Sequence, residues 1–207
     1  MVKRPPATKG RPNPLTEAEE AALLQHLPKW ARPLITWAIN SGMDRAEVLG
    51  LTWDQVDRKE GMVYATRSKT GVERQIPLDG PLGRIVADRA RFQRLDTRRV
   101  FLGHDGQPVT FEALKSAMRR AWHKACPDKT RPWKSLRATF ATRLASQGTP
   151  VPVIARLMGL STTHVLDFYC KPFEAELRAA MAGLGNVRTQ IRTHSKSAGE
   201  MQAGESS

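Results

Sequence analysis

The chain has 207 residues, enough for one domain with a substantial apolar core but too few for a second domain of similar size. It carries 33 lysine and arginine residues against 20 aspartate and glutamate residues, and the resulting net charge of +13 favours a polyanionic partner, nucleic acid first. No apolar run reaches the ~18 residues that would span a bilayer. The basic, proline-rich start lacks the apolar centre of a secretory signal.

The cysteines and histidines argue against a metal site. Cys126 and Cys170 are the two cysteines, and their spacing resembles no metal-binding pattern. The five histidines show no ligand spacing either. We therefore predict no metal, no cofactor and no membrane association, and a reduced, cytoplasmic location.

Composition divides the chain into three parts. Residues 1–14 contain four basic residues, four prolines and no acid, which predicts a disordered basic arm. Such an arm can lie along phosphates or serve merely as a flexible leader. Residues 15–185 contain the apolar periodicity of a folded domain, and residues 186–207 are polar, as expected of a flexible tail.

The predicted elements of the first half are helices followed by a β-hairpin. Thr16 and Glu19 form a capping-box pattern, which begins a helix that Pro28 ends. The next helices are predicted from about Ala31 to Gly42 and over Arg45–Leu51. Two strand-like runs then flank a turn that contains Lys69; they are Met62–Thr66 and Glu73–Pro77.

The second half is predicted to be helical apart from a turn at residues 104–108. Its helices are expected, in chain order, over Pro81–Phe92, from an N-cap at Thr110 to Ala125, and over Ser135–Ser146, Pro152–Met158, Thr162–Tyr169 and Phe173–Leu184. The predicted fold class is therefore mainly α with a small antiparallel β-sheet, an α+β domain.

The most specific pattern lies between Lys134 and Tyr169. It opens with K-x-x-R, ending at Arg137, and continues as two apolar helical runs interrupted by a Gly-Thr-Pro break. Tyr169 closes it, ten residues after Gly159. In order and spacing this stretch resembles the C-terminal signature of tyrosine recombinases, the phage integrase family. The resemblance covers roughly residues 15–184 and implies that family's catalytic-domain fold in a bacterial or phage-encoded protein.

The resemblance also implies a catalytic set. The family's second arginine maps to Arg137, its nucleophile to Tyr169, its hairpin lysine to Lys69 and the first histidine of its second motif to Lys134. In the family, the tyrosine attacks a DNA phosphate and leaves a 3′-phosphotyrosyl link. A phenol with a pKa near 10 is a weak nucleophile, so guanidiniums must hold the phosphate and a lysine or histidine must move protons.

Two positions depart from the family pattern. The family's first arginine lies in T-G-x-R-x-x-E, whereas the stretch from Ser41 reads S-G-M-D-R-A-E and puts Asp44 in the arginine's place. Arg45 is adjacent, but one helical step turns it away by about 100°. Leu160 replaces the histidine or tryptophan expected after Gly159, and its side chain forms no hydrogen bond. We expect the carboxylate to repel a phosphate and cleavage to be impaired or lost.

A basic track precedes and includes Arg137. Residues 115–137 hold eight lysines and arginines and one acid. Phosphate contacts of this kind give affinity and register without reading sequence. The predicted DNA-binding residues, besides Lys134, are Arg45, Arg119, Arg120, Lys124, Lys129 and Arg131.

Three functions remain open on the sequence. The preferred one is a binder of double-stranded DNA in this family, related to DNA integration and site-specific recombination, acting alone or in an oligomer with itself or another recombinase subunit. The first alternative is an active recombinase that cuts through Tyr169. The second is a small helix-turn-helix regulator built from Ser135–Ser146 and Pro152–Tyr169. The predicted hairpin around Lys69 argues against the second alternative, because a plain helix-turn-helix protein does not need it.

Overall fold

A computed structural model describes residues 13–67, 71–130 and 132–160. All of these belong to the first of two compact units, Met1–Cys170; the second, Lys171–Ser207, lies outside the described residues. Outside them, too, are nearly all of the predicted basic arm and the predicted helix Thr162–Tyr169. The predicted helix Phe173–Leu184 and the tail fall in the second unit.

The chain enters the fold through three helices, α1 (Glu17–His26), α2 (Ala31–Ser41) and α3 (Arg45–Gly50). The predicted capping box begins α1: the Thr16 hydroxyl accepts from the Glu19 N–H at 3.2 Å, and the Glu19 carboxylate accepts from the Thr16 N–H at 2.7 Å. Gly42 ends α2 in the left-handed region, with φ +62°.

A three-stranded antiparallel sheet follows, in the order β1 (Val56–Asp57), β2 (Met62–Thr66) and β3 (Glu73–Pro77). The two hairpin strands have the predicted bounds, with Val63 opposite Ile76. Strand β1 was not predicted, since a strand of two residues is too short to show periodicity.

Four further helices complete the described chain: α4 (Pro81–Ala90), α5 (Phe111–Ala125), α6 (Pro132–Ser146) and α7 (Val151–Leu157). As predicted, Thr110 caps α5. Four helices differ in their bounds from prediction: α3 ends at Gly50 rather than Leu51, and α7 covers Val151–Leu157 rather than Pro152–Met158. Helix α4 stops two residues before Phe92, and α6 begins three residues before Ser135, because a proline fits the first turn of a helix.

Helix α2 is the centre of the core and packs against α1, α3, α4 and α6. Its apolar side chains, Leu34, Ile35, Trp37, Ala38 and Ile39, are all buried. A second apolar cluster joins α6 to α7 through Phe140, Ala141, Ile154, Ala155 and Met158. The predicted fold class, mainly α with a small antiparallel sheet, is confirmed. None of the described helices combines the length and the apolar character needed to cross a membrane.

Candidate functional site

Helix α7 ends in a Schellman motif. The Leu160 N–H donates to the Ala155 carbonyl at 2.9 Å, and the Gly159 N–H donates to the Arg156 carbonyl at 3.0 Å. Gly159 adopts φ +64°, as the motif requires. Leu160 packs against the α6–α7 apolar cluster. The leucine at this position therefore helps to end α7, a role for which a hydrogen-bonding side chain is not needed.

Three arginines donate hydrogen bonds to the carbonyl of the last residue of α7 and to those of the two residues after it. Arg74 Nε donates to the Leu157 carbonyl at 2.8 Å, and Arg137 Nη2 donates to the Met158 carbonyl at 3.2 Å. Arg67 Nη1 donates to the Gly159 carbonyl at 3.1 Å. Carbonyls at a helix C-terminus lack intrahelical partners and carry partial negative charge, which explains the convergence. We call Arg67, Arg74 and Arg137 the arginine cluster.

Arg137 ties the two ends of the site together. Besides its bond to Met158, its Nη1 donates to the Gly42 carbonyl at 2.5 Å. The residue is 7% exposed. The guanidinium that the sequence assigns to phosphate binding is therefore positioned by the end of α2 and the end of α7 at once.

Asp44 has a structural role that the sequence analysis missed. Its Oδ1 accepts from the backbone N–H groups of Ala46 at 3.0 Å and Glu47 at 3.1 Å, so it is the N-cap of α3. Its Oδ2 lies 3.8 Å from Arg67 Nε. The D-x-x-E spacing is a capping-box pattern and was a readable signal for this cap.

The Arg45 side chain lies against α5. Its guanidinium carbon lies 4.0 Å from the centre of the Phe111 ring on α5, a cation–π contact. The arginine that pairs with Asp44 is thus Arg67, on the hairpin, and not the neighbouring Arg45.

A buried ion pair completes the cluster. Arg74 Nη1 lies 2.7 Å from Glu47 Oε1, and the two side chains are 0% and 4% exposed. In the sequence, Glu47 is only the last residue of the S-G-M-D-R-A-E stretch, and Arg74 belongs to no motif. No local pattern signals this pair, because the partners come from a helix and a strand.

Gly159 is expected to tolerate no side chain. A Cβ there would lie 2.7 Å from Arg74 Nη1 and 3.2 Å from Arg67 Cδ. Gly61 has nearly the same φ, +65°, with no atom within 4 Å of its Cβ position, so Gly61→Ala measures backbone strain alone, about 1–2 kcal/mol. We expect Gly159→Ala to lower the free energy of unfolding by about 1–3 kcal/mol more than this control in urea titrations. Equal losses would contradict the close packing around Gly159.

A groove of about 760 Å³ lies between α3, α5 and the start of α6. Leu114, Met118, Trp122 and Trp133 give it an apolar lining, and we call it the basic groove after its exposed cations, which are Arg45, Lys115, Arg119 and Lys134. Cys126 also lines it, but burial raises the pKa of this thiol, which makes it a poor nucleophile.

The groove brings together part of the predicted DNA-binding set. Arg45, Arg119 and Lys134 come from three different helices and share its lining. Arg120 and Lys124 are exposed on α5 outside the groove lining. Arg131, Lys69 and Tyr169 lie outside the described residues, so the place of Lys69 and Tyr169 beside Arg137 in the catalytic set that the resemblance implies stays a prediction.

Lys129 lines the groove, but its ammonium group pairs with a carboxylate on α1. Its Nζ pairs with the Glu19 carboxylate of α1, and its side chain is 8% exposed. Burial alone would raise the pKa of Glu19, but the hydrogen bonds from Lys129 and Thr16 hold that pKa below its usual range. The charge of Lys129 thus joins the α5–α6 connection to α1.

The sequence profile described as the phage integrase family matches residues 13–176. The chain belongs to the phage integrase family. It is 24% identical over 190 residues to tyrosine recombinase XerA of Pyrococcus furiosus, covering 87% of this chain and 64% of the relative. It is 26% identical over 186 residues to tyrosine recombinase XerD of Halalkalibacterium halodurans, covering 82% and 62%. The chain therefore spans a little under two thirds of the length of these integrase-family relatives.

Solved integrase structures share the fold. The Tn1549 transposon integrase in complex with a circular intermediate DNA superposes with a TM-score of 0.70 at 21% identity, over 86% of this chain and 67% of that one. A lambda integrase dimer bound to a COC′ core site gives a TM-score of 0.65 at 20% identity, over 80% and 50%. The tyrosine recombinase resemblance and its fold are confirmed, and the helix-turn-helix alternative is left without support.

Proposed function

We propose that this integrase-family chain binds double-stranded DNA in site-specific recombination and that its own strand cleavage is impaired or lost. The observation that carries the proposal is Asp44. A carboxylate occupies the place that the family resemblance assigns to an arginine, and it lies beside Arg67 in the cluster that contains Arg137. A negative charge there opposes the phosphate that the site would have to hold.

The basic groove is the proposed DNA surface. Its cations are exposed and come from helices that are far apart in sequence. The fold therefore concentrates positive charge in one groove, whereas the net charge of +13 does not say where on the surface the charge lies. Neutralising DNA phosphates releases counterions, which supplies affinity without sequence reading.

We further infer that the chain acts with other subunits on DNA. The neighbouring structures include a lambda integrase dimer on a core site and a tetramer on a Holliday junction. In such an assembly a chain with weak cleavage still contributes DNA contacts and position, through copies of itself or beside another recombinase subunit.

An active recombinase remains the second candidate, and one observation favours it. Arg137 is positioned by two carbonyls, as a phosphate ligand should be, and Arg67 brings a second guanidinium to the same helix end. Cleavage would then run through Tyr169, with Lys69 and Lys134 as proton carriers.

Removing the groove's charge is expected to weaken DNA binding for all sequences alike. We expect Arg45→Ala, Arg119→Ala and Lys134→Ala, combined, to lower duplex affinity and to reduce the slope of log K against log salt by about 2 to 3, because each lost phosphate contact contributes about 0.9. The measurement is a salt series of duplex titrations by fluorescence anisotropy.

A control with the same change in charge comes from exposed arginines that do not line the groove: Arg84, Arg91 and Arg98. Their triple alanine variant should leave the slope nearly unchanged. Equal losses in both triples would mean that only net charge matters and that the groove is not the DNA surface. The pair Arg120→Ala and Lys124→Ala tests whether contact extends to the other side of α5.

A further inference from the structure

We propose that Arg67 supplies the second guanidinium of the phosphate site, in place of the arginine absent at position 44, and that Asp44 is its counter-ion while no DNA is bound. This inference rests on the proposed function, since it requires the chain to bind a DNA phosphate. It differs from the family pattern, in which that guanidinium comes from the start of α3, whereas Arg67 follows strand β2 of the hairpin.

Arg67 and Arg137 bind the carbonyls of neighbouring residues. Arg67 donates to the Gly159 carbonyl and Arg137 donates to the Met158 carbonyl. Consecutive residues lie ~3.8 Å apart along the chain, so two guanidiniums from distant parts of the sequence are held side by side by one short segment. Two forked guanidiniums in that arrangement suit the oxygens of a single phosphodiester.

Arg67 is the least committed member of the arginine cluster. Arg74 is fully buried and lies 2.7 Å from Glu47. Arg67 keeps 17% of its side chain exposed, and among the described residues only the Gly159 carbonyl accepts a hydrogen bond from that side chain. Its Nε is buried and has no hydrogen-bond acceptor in that part of the chain. Its charge is therefore available to a further anion.

Asp44 is held in place independently of Arg67. At 3.8 Å from Arg67 Nε, its Oδ2 is too far for a hydrogen bond. Its Oδ1 is satisfied independently by the backbone N–H groups of Ala46 and Glu47. A phosphate oxygen can therefore take over Arg67 without removing the N-cap of α3. Asp44 offsets the charge of Arg67 until DNA arrives and weakens binding after it arrives.

The test is a double-substitution cycle between Asp44→Asn and Arg67→Gln, read by duplex titration across a salt series. Asparagine is as good an N-cap as aspartate, and glutamine retains an amide donor for Gly159 while losing the charge. We expect Arg67→Gln to lower duplex affinity about tenfold and to reduce the salt slope by about 0.9. We expect Arg67→Lys to keep the slope. Asp44→Asn should raise affinity several-fold when Arg67 is present and far less when it is absent.

The exposed pair of Asp54 and Arg98, 3.2 Å apart, provides the matched control. Asp54→Asn and Arg98→Gln carry the same changes in charge and should shift neither the affinity nor the slope. The proposal is overturned if Arg67→Gln behaves like Arg98→Gln, or if Asp44→Asn helps equally in both backgrounds, since plain repulsion then explains it. Failure of the proposed function looks different: the unsubstituted chain would bind no duplex, or the groove triple would bind as tightly as its control.

Discussion

Replacing Glu47 by alanine is expected to lower the free energy of unfolding by about 3–5 kcal/mol, because the change leaves a buried guanidinium without its counter-charge. Arg74 is fully buried and lies 2.7 Å from Glu47. The same substitution removes the carboxylate that accepts from the Asp44 N–H at 2.6 Å, so α3 also loses half of its capping box. A loss of this size is a large part of the 5–15 kcal/mol that typically stabilises a domain.

Two further variants isolate the cause. Glu47→Ala with Arg74→Met removes both charges and should recover much of the loss, since an apolar side chain replaces the unpaired cation. Asp54→Ala breaks the exposed pair with Arg98 and should change stability by at most about 1 kcal/mol. Urea unfolding followed by circular dichroism measures all three. A Glu47→Ala protein as stable as Asp54→Ala would show that the buried pair does not hold α3 to the sheet.

The unsubstituted chain is expected to form little or no covalent adduct with a nicked suicide duplex, and Asp44→Arg is expected to raise adduct formation by about 10² or more. One preorganised donor is worth roughly 10²–10³ in rate, and this change also removes an opposing charge. Leu160→His should add less, because it restores a donor but removes an apolar contact at the end of α7. The readout is a labelled protein–DNA band on a denaturing gel.

The controls separate chemistry from charge. Adding Tyr169→Phe to each variant should abolish the adduct, which ties it to the predicted nucleophile. Asp44→Asn removes the negative charge, keeps the N-cap and adds no guanidinium, so its gain should be smaller than that of Asp44→Arg. Efficient, Tyr169-dependent adduct formation by the unsubstituted chain would contradict impaired cleavage and would make this an active recombinase, with Arg67 as the first guanidinium to test.

Local patterns in the sequence determined much of the fold. The capping box at Thr16 and the N-cap at Thr110 began helices where predicted, because each depends on side chains within three residues of the helix start. The hairpin strands had their predicted bounds, since alternation and turn residues are also local signals. The order and spacing of the motif ending at Tyr169 identified the family, which the profile match then confirmed.

Only the tertiary structure decided how the charges are used. Arg137 is buried against two carbonyls, Arg67 rather than Arg45 faces Asp44, and Lys129 pairs with Glu19 across 110 residues of sequence. From sequence alone, a charged residue is most simply predicted to be exposed, because local patterns carry no information about a partner that is distant in the chain. The carbonyls at the end of α7 lack intrahelical donors, and they accept hydrogen bonds from the three arginines only when the hairpin, α6 and α7 pack together.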